Sequence, residues 1–398
     1  VVTTTLPNPQ KMGSSTAPPP PFSDSLLLTT ATPQERSKIW SLHHVQWGGA
    51  LTHDAYLERE SYLRNAPLQR MGGITHWLLT TTTTSSSSSS SSPRPILSSC
   101  DTYRKRAVSC TPDGTLREGI AHGIGAVFTD PQYRGKGYAS RMLKELGEVL
   151  KTWQTGKEGE EALFSVLYSD IGKTFYAKSG WEAFPSGHMA FPPAGAGEEE
   201  TNGEVVGRRA HPIGYHEPAE LCAADEELLR KRLPLRARET GRTAVALVPD
   251  LDSVLWHLMR EDFIAKNVFG RTPAVKGAVY GETKGKRVWG VWTRAYYGEV
   301  GTLHFLRFVL EDEDGDEEEN ARGVREVVRV AQREAREWKC KEVQSWNPSE
   351  KLRAAVRRAG LEVSFVERDA ESIASLMWYG EGRTLDVDWV YNEKFGWC

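Results

Sequence analysis

Arg134-Gly135-Lys136-Gly137 is the segment of this chain whose residue types and spacing best suit chemistry. Its glycines let a ligand approach the backbone closely, and two cations alternate with them. Ahead of the turn, Gly123 to Thr129 reads as a small-residue strand. Behind it, Ala139, Met142, Leu143, Leu146, Leu150 and Trp153 recur at helical spacing. Strand, glycine turn and helix N-terminus together aim unpaired N–H groups and the positive end of a helix dipole at one point. That arrangement suits a phosphorylated ligand.

Two common phosphate signatures are absent. No GxxxxGK[ST] pattern exists, which excludes a P-loop. Gly135-Lys136-Gly137-Tyr138-Ala139-Ser140 ends in Ser where a dinucleotide fingerprint needs Gly, and the acidic residue expected about 20 positions on is missing. The turn does satisfy R/Q-x-x-G-x-G/A, as Arg134-x-x-Gly137-x-Ala139 and, one step out of phase, as Gln132-x-x-Gly135-x-Gly137. It resembles the acetyl-CoA pyrophosphate loop of the Gcn5-related N-acetyltransferase (GNAT) superfamily, in the variant P-x-Y-R-G-K-G. A second block, Ser169-x-x-Gly172-x-x-Phe175-Tyr176-x-x-x-Gly180-Trp181, is similar to that superfamily's N-x-x-A-x-x-F-Y-x-x-x-G-F, with Ser for Asn and Gly for Ala.

The resemblance implies an α/β fold (α+β, with a mixed sheet) that uses acetyl-CoA as cosubstrate and no metal. It implies that Val127, Phe128 and Thr129 line the cofactor at the strand end. Arg134, Gly135, Lys136, Gly137, Tyr138 and Ala139 would cradle its pyrophosphate. Ser169 would hydrogen-bond a pantetheine amide, with Lys173 and Phe175 beside it. The Val127 N–H would face the acetyl oxygen, and Tyr176 would protonate the departing thiolate. Relatives carry a basic carboxylate or His eight or six residues before the Pro of the loop, and here those positions are Gly123 and Gly125. His122 is a neighbouring candidate, on the opposite face by strand parity. A base from elsewhere in the chain, or a water chain, is the alternative. Some such device is required, because a lysine amine with a pKa of about 10.4 is neutral in roughly 1 molecule in 2,500 at pH 7, a penalty of about 4.6 kcal/mol.

With 398 residues, the chain is too long for one such domain. Residues 1–22 are rich in Thr, Pro and Ser and are expected to be disordered. A first domain spans 23–191, with Leu26–Thr30 as its first strand, a helical stretch over Pro33–Asn65, further strands over Gly73–Leu79 and Ile96–Cys110, and a Thr/Ser-rich insertion at 80–95. Residues 192–204 read as a linker. In 205–398 the pattern partly repeats: a helix at Leu251–Phe269, strands at Gly277–Tyr280, Arg287–Tyr297 and Leu303–Leu310, then a helix with Val324, Val327, Val328, Ala331, Ala335 and Trp338 on one face. The acidic run Glu311–Glu319 stands where the first half has its phosphate turn. It would repel CoA and is expected to be a solvated loop, so the second unit reads as a degenerate GNAT-like domain closing over the substrate.

A net charge of -3 with scattered basic residues argues against a nucleic-acid surface. Cysteines 100, 110, 222, 340 and 398 lack metal-ligand spacing and read as free thiols, with Cys100 and Cys110 expected on adjacent strands. No apolar run is long enough to span a bilayer, and a cytoplasmic location is the expectation. Over roughly residues 23–398, apart from the Thr/Ser tract and the linker, the chain resembles the fungal lysine N6-acetyltransferases, through His122–Ala139 and the tail Trp389-Val390-Tyr391-Asn392-Glu393-Lys394-Phe395-Gly396-Trp397. That resemblance implies a small-molecule amine partner, free L-lysine, and a role in lysine catabolism. Asp386, Asp388 and Glu393 are candidates for contacts to the substrate's ammonium groups. Another amine (a polyamine, an aminoglycoside or a protein lysine), or CoA binding without catalysis, are the alternatives.

Overall fold

The computed structural model describes residues 18–82, 94–156, 160–195, 209–298 and 300–398. Residues 1–17 of the tail, 83–93 of the Thr/Ser tract and 196–208, which include most of the linker, lie outside the described residues. The first half runs β1 (Leu26–Thr30), α1 (Pro33–Trp47), α2 (His53–Leu63), α3 (Pro67–Arg70), β2 (Ile74–Thr81), β3 (Ser98–Cys110) and β4 (Leu116–Phe128). It continues with α4 (Tyr138–Val149), β5 (Ala162–Ser169), α5 (Thr174–Ala177), β6 (Glu182–Ala183) and β7 (Gly187–Phe191). The second half runs β8 (His211–Ile213), α6 (Pro218–Thr240), β9 (Ala244–Leu247), α7 (Leu251–Phe269), β10 (Gly277–Tyr280), β11 (Val288–Tyr296) and β12 (Gly301–Leu310). It closes with α8 (Glu317–Glu337), β13 (Cys340–Trp346), α9 (Glu350–Arg358), β14 (Ser364–Glu367), β15 (Ile373–Trp378) and β16 (Asp388–Trp389).

Local chemistry explains several boundaries. Thr32 and Glu35 form a capping box that starts α1. Asp316 caps α8, and Glu317, Glu318 and Glu319 sit in its first turn, where the helix dipole favours carboxylates. Met142, Leu143 and Leu146 of α4, with Leu150 just past it, are fully buried against the first sheet, each worth about 1.5–3 kcal/mol.

Two mixed sheets result. One has the order β1-β2-β3-β4-β5-β15-β6, with β9 added to β3 and β16 to β9; the other has β14-β7-β13-β12-β11-β10-β8. The sheets therefore do not divide at the linker. β7, from before it, pairs with β13 and β14, while β15, from after it, pairs with β5 and β6. The first half lends β7 to the second sheet, and the second half lends β9, β15 and β16 to the first. A shared core joins them, with Phe164, Val166 and Leu376 on one side, Trp289, Val291 and Leu306 on the other, and Phe395 among them.

Three further expectations are corrected. Cys100 and Cys110 lie on one strand, β3, ten residues apart and so about 33 Å from each other; all five cysteines are free thiols. The acidic run is only partly solvated. Glu311 is buried and accepts from the Arg287 guanidinium, the Trp289 indole and the Gly285 N–H. Pro18–Phe22, expected to be disordered, lies along α4: Tyr138 Oη donates to Pro19 O at 2.7 Å and Arg141 Nη1 to Pro21 O at 3.3 Å. No described helix is long and apolar enough to cross a membrane.

Candidate active site

β4 and β5 run parallel and stay paired from Ile120–Ala162 to Ile124–Leu167. Beyond that point they separate, β4 continuing beside β3 and β5 beside β15. The separation begins at a bulge. Phe128 pairs with Ser99 and Gly125 with Asp101, so Ala126 and Val127 together oppose Cys100, and Ala126 takes φ 51. A bulge re-aims the backbone at a strand end, and here it does so at the mouth of the opening. Val127 is half-buried there; Phe128 is buried and packs edge-on against His43 and Trp47.

The glycine turn follows directly. Gly135 (φ 73) and Gly137 (φ 89) both adopt the left-handed conformation, and a Cβ on Gly135 would meet nothing within 4 Å. Gly137 is the N-cap of α4, and no side chain caps the helix. Its first N–H groups thus face the turn with the dipole behind them. Arg134 Nε donates to Thr129 O at 3.0 Å, tying the turn to the strand end, and Lys136 Nζ donates to Gln132 O at 3.0 Å. Thr129 Oγ1 hydrogen-bonds Ser98. Ala139 lies in the first turn of α4. These residues fit a pyrophosphate: uncapped amides, open space over Gly135 and two cations.

Tyr176, on α5, closes the opposite side. It is 9% exposed and belongs to the apolar cluster of Cys100, Ile124, Leu143 and Leu167. Burial raises its pKa, so the phenol keeps its proton. Phe175 packs edge-on against it at 5.1 Å. Ser169 is buried at the end of β5; its hydroxyl donates to Gly172 O at 2.7 Å and accepts from the Ile171 N–H, which commits its only donor locally. Lys173 is exposed and paired with Asp369. The structure thus brings Val127, the Arg134–Ala139 turn, Ser169, Phe175 and Tyr176 around one opening.

His122 is fully buried on the α4 side of β4, and burial pushes its pKa down to about 4, so it is neutral. Neither ring nitrogen has a hydrogen-bond partner within range, Gln154 being its nearest polar influence. Gly123 and Gly125 face the other side. There the C-terminal tail runs between the sheets, and Cys398 takes the space a side chain at either glycine would need. The missing base and the tail are thus one feature, which strand periodicity could not reveal.

The three carboxylates considered for substrate contacts are apart from this centre and already engaged. Asp386 pairs with Arg383, Asp388 with Arg236, and Glu393 with Arg307. Glu393 also accepts from the Phe308 N–H on β12. In the second sheet β12 and β13 pair in parallel as far as Phe305–Ser345, and beyond that point the tail is seated against β12. The place equivalent to the β4–β5 opening is therefore filled by the protein's own chain.

A family model described as the LYC1 GNAT-like C-terminal domain matches residues 188–398. A lysine acetyltransferase of Yarrowia lipolytica is 25% identical over 304 residues, which is 68% of this chain and 72% of the relative. An uncharacterized Saccharomyces cerevisiae protein, YGR111W, is 26% identical over 179 residues, 42% of this chain and 44% of its own. Among solved structures, a conserved Enterococcus faecalis V583 protein described as a probable N-acyltransferase superposes over 88% of this chain and 71% of its own, with a TM-score of 0.52 at 13% identity. That likeness concerns the fold. The family match covers more than half of the chain, and the fold agrees with it: the protein is a GNAT-class N-acetyltransferase of the LYC1-like family.

Proposed function

We propose that the protein transfers acetyl from acetyl-CoA to the ε-amine of free L-lysine by direct attack. The observation that carries this reading is the opening between β4 and β5, with the bulged Val127 on one side, the glycine turn at its mouth and buried Tyr176 opposite. The amine acceptor is argued from the resemblance to the Yarrowia lipolytica lysine acetyltransferase.

The roles follow from position. Arg134, Gly135, Lys136, Gly137, Tyr138 and Ala139 hold the pyrophosphate, with Val127, Phe128, Thr129, Ser169, Lys173 and Phe175 along the cofactor's path. Acetyl-CoA supplies an activated acyl group; the protein's task is orientation, charge stabilisation and proton movement. The Val127 N–H donates to the acyl oxygen as negative charge grows on it. Tyr176 Oη, held protonated by burial, gives its proton to the sulfur that leaves. Removing the amine's proton falls to a group outside β4 or to water, since glycines occupy positions 123 and 125.

The test is thiol release from acetyl-CoA with free L-lysine, ornithine, spermidine and a lysine-containing peptide. Release dependent on L-lysine is expected. Release only with another amine would keep the acetyltransferase and discard the substrate; CoA binding without release to any amine would discard the catalytic reading.

A further inference from the structure

Four successive prolines, Pro18 to Pro21, precede Phe22 and the first strand. This segment crosses the N-terminal end of α4 and touches it at three points. Tyr138 Oη donates to Pro19 O at 2.7 Å, and Arg141 Nη1 donates to Pro21 O at 3.3 Å. The Pro21 ring lies 3.3 Å from where a Cβ on Gly137 would be. A turn then leads into β1: the Ser23 N–H donates to Pro20 O at 3.0 Å, and the Leu26 N–H to Ser23 O at 3.1 Å. Phe22, at the edge of the contact, is 79% exposed.

The contact falls on the glycine turn itself. Gly137 is the N-cap of α4, and its missing side chain leaves a hollow beside the first turn of the helix. Pro21 sits in that hollow. The corresponding space at Gly135 is open, with no described atom within 4 Å of a Cβ there. Proline has no N–H, so Pro18–Pro21 bring to the hollow carbonyl oxygens and ring carbons but no backbone donor. Such a surface cannot hydrogen-bond a phosphate, and its carbonyl dipoles oppose one. Neither hydrogen bond to the segment uses a backbone N–H of α4, so those donors stay available to an anion. Arg141 spends Nε on Glu145 and Nη1 on Pro21, and release of the segment would return one guanidinium donor to the edge of the turn.

We propose that Pro18–Phe22 is an autoinhibitory strap, seated on the glycine turn in the free protein and displaced when the pyrophosphate of CoA enters. The proposal rests on the reading of that turn as the cofactor's cradle. Seated strap and bound pyrophosphate compete for the space at Gly137, so the seated fraction lowers the apparent affinity for CoA. Two hydrogen bonds and one ring contact make a hold that a charged ligand can break. The turn at Ser23–Leu26 lets the segment swing away while β1 keeps its place in the sheet.

The test has two parts, both on the full chain with CoA as the probe. Calorimetry compares the unaltered protein with Pro21→Gly, which removes the ring from the hollow and loosens the segment. The variant should bind CoA about three- to tenfold more tightly, the factor that one ordinary hydrogen bond represents. The second part needs no variant. Chymotrypsin cleaves after an exposed Phe, but only in a chain free to extend, so cleavage at Phe22 reports release of the strap. Saturating CoA should speed that cleavage, the reverse of the protection a ligand gives to a segment it orders. Equal or weaker CoA binding by Pro21→Gly would overturn the proposal and leave the cradle reading in place. Slower or unchanged cleavage at Phe22 with CoA bound would overturn it too, and would make the segment a fixed wall of the site. Failure of both proteins to bind CoA would discard the cradle reading, and the strap with it.

Discussion

Gly123 and Cys398 share one space: a Cβ added to Gly123 would stand 2.7 Å from the Cys398 Sγ, while one on Gly125 would stand 2.8 Å from the Cys398 carbonyl oxygen. The glycine face of β4 is thus a seat for the tail. Gly123→Val should push the tail off, at an overpacking cost of about 1–3 kcal/mol. Acceptor KM should rise while acetyl-CoA affinity, set on the opposite side of the strand, holds. Steady-state kinetics with calorimetry of CoA binding checks this; equal losses in both would mean the strand itself had moved.

Tyr176→Phe removes a buried proton donor and little volume. With its pKa raised by burial, the phenol remains protonated at and beyond pH 10, so no alkaline loss of kcat below that pH belongs to it. The variant should lose about 10²-fold in kcat with CoA affinity nearly unchanged. An unaltered kcat would remove Tyr176 from the acid role.

Gly137→Glu places a carboxylate and a Cβ at the N-cap of α4, in a left-handed conformation that L side chains seldom adopt. Pro21 already lies 3.3 Å from that Cβ position. CoA binding should fall below detection by calorimetry, while far-ultraviolet dichroism stays close to that of the unaltered protein. Retained binding would show that the turn is not the pyrophosphate cradle.

Acid stability should fall in two windows. Burial pushes the imidazoles of His43 and His122 from about 6.5 down to about 4. A lowered His pKa means that the unfolded chain takes up the proton first, so stability declines as pH drops from 6.5 towards 4, by roughly 3 kcal/mol for each ring. Glu35, hydrogen-bonded to Arg94, is lowered from about 4.5 to about 2, so its contribution is complete above 4.5 and lost between those values. Urea midpoints from pH 7 to 3 measure both. His122→Leu should flatten the first decline, and an unchanged slope would take His122 out of it.

Much of this molecule follows from local sequence. α7 begins and ends where the apolar period says, and β1 and β10 likewise match their expected spans, because alternation and helical spacing are properties of neighbours along the chain. The glycine turn was legible too, since glycines in the left-handed region are needed wherever a backbone must turn so sharply. α6 was missed: its buried Leu221, Leu229 and Leu233 are diluted by charged residues and Pro234 interrupts the pattern.

Other features depend on partners remote in sequence. Nothing near β7 or β15 says that each joins the other half's sheet, because strand pairing is decided by the whole set of exposed edges. Glu393 read as a candidate for the substrate's ammonium, and the fold engages it with Arg307, while Lys394 beside it is buried over the Trp346 and Trp397 rings. Adjacent residues on an irregular tail face different surroundings, and burial and charge balance are set by what the fold brings against them. Local residue order by itself determined the turn that suits a phosphate and the elements on either side of it. Only the tertiary structure decided what lies across β4 from it, since that surface is assembled from β3, α7, β13 and the last residues of the chain.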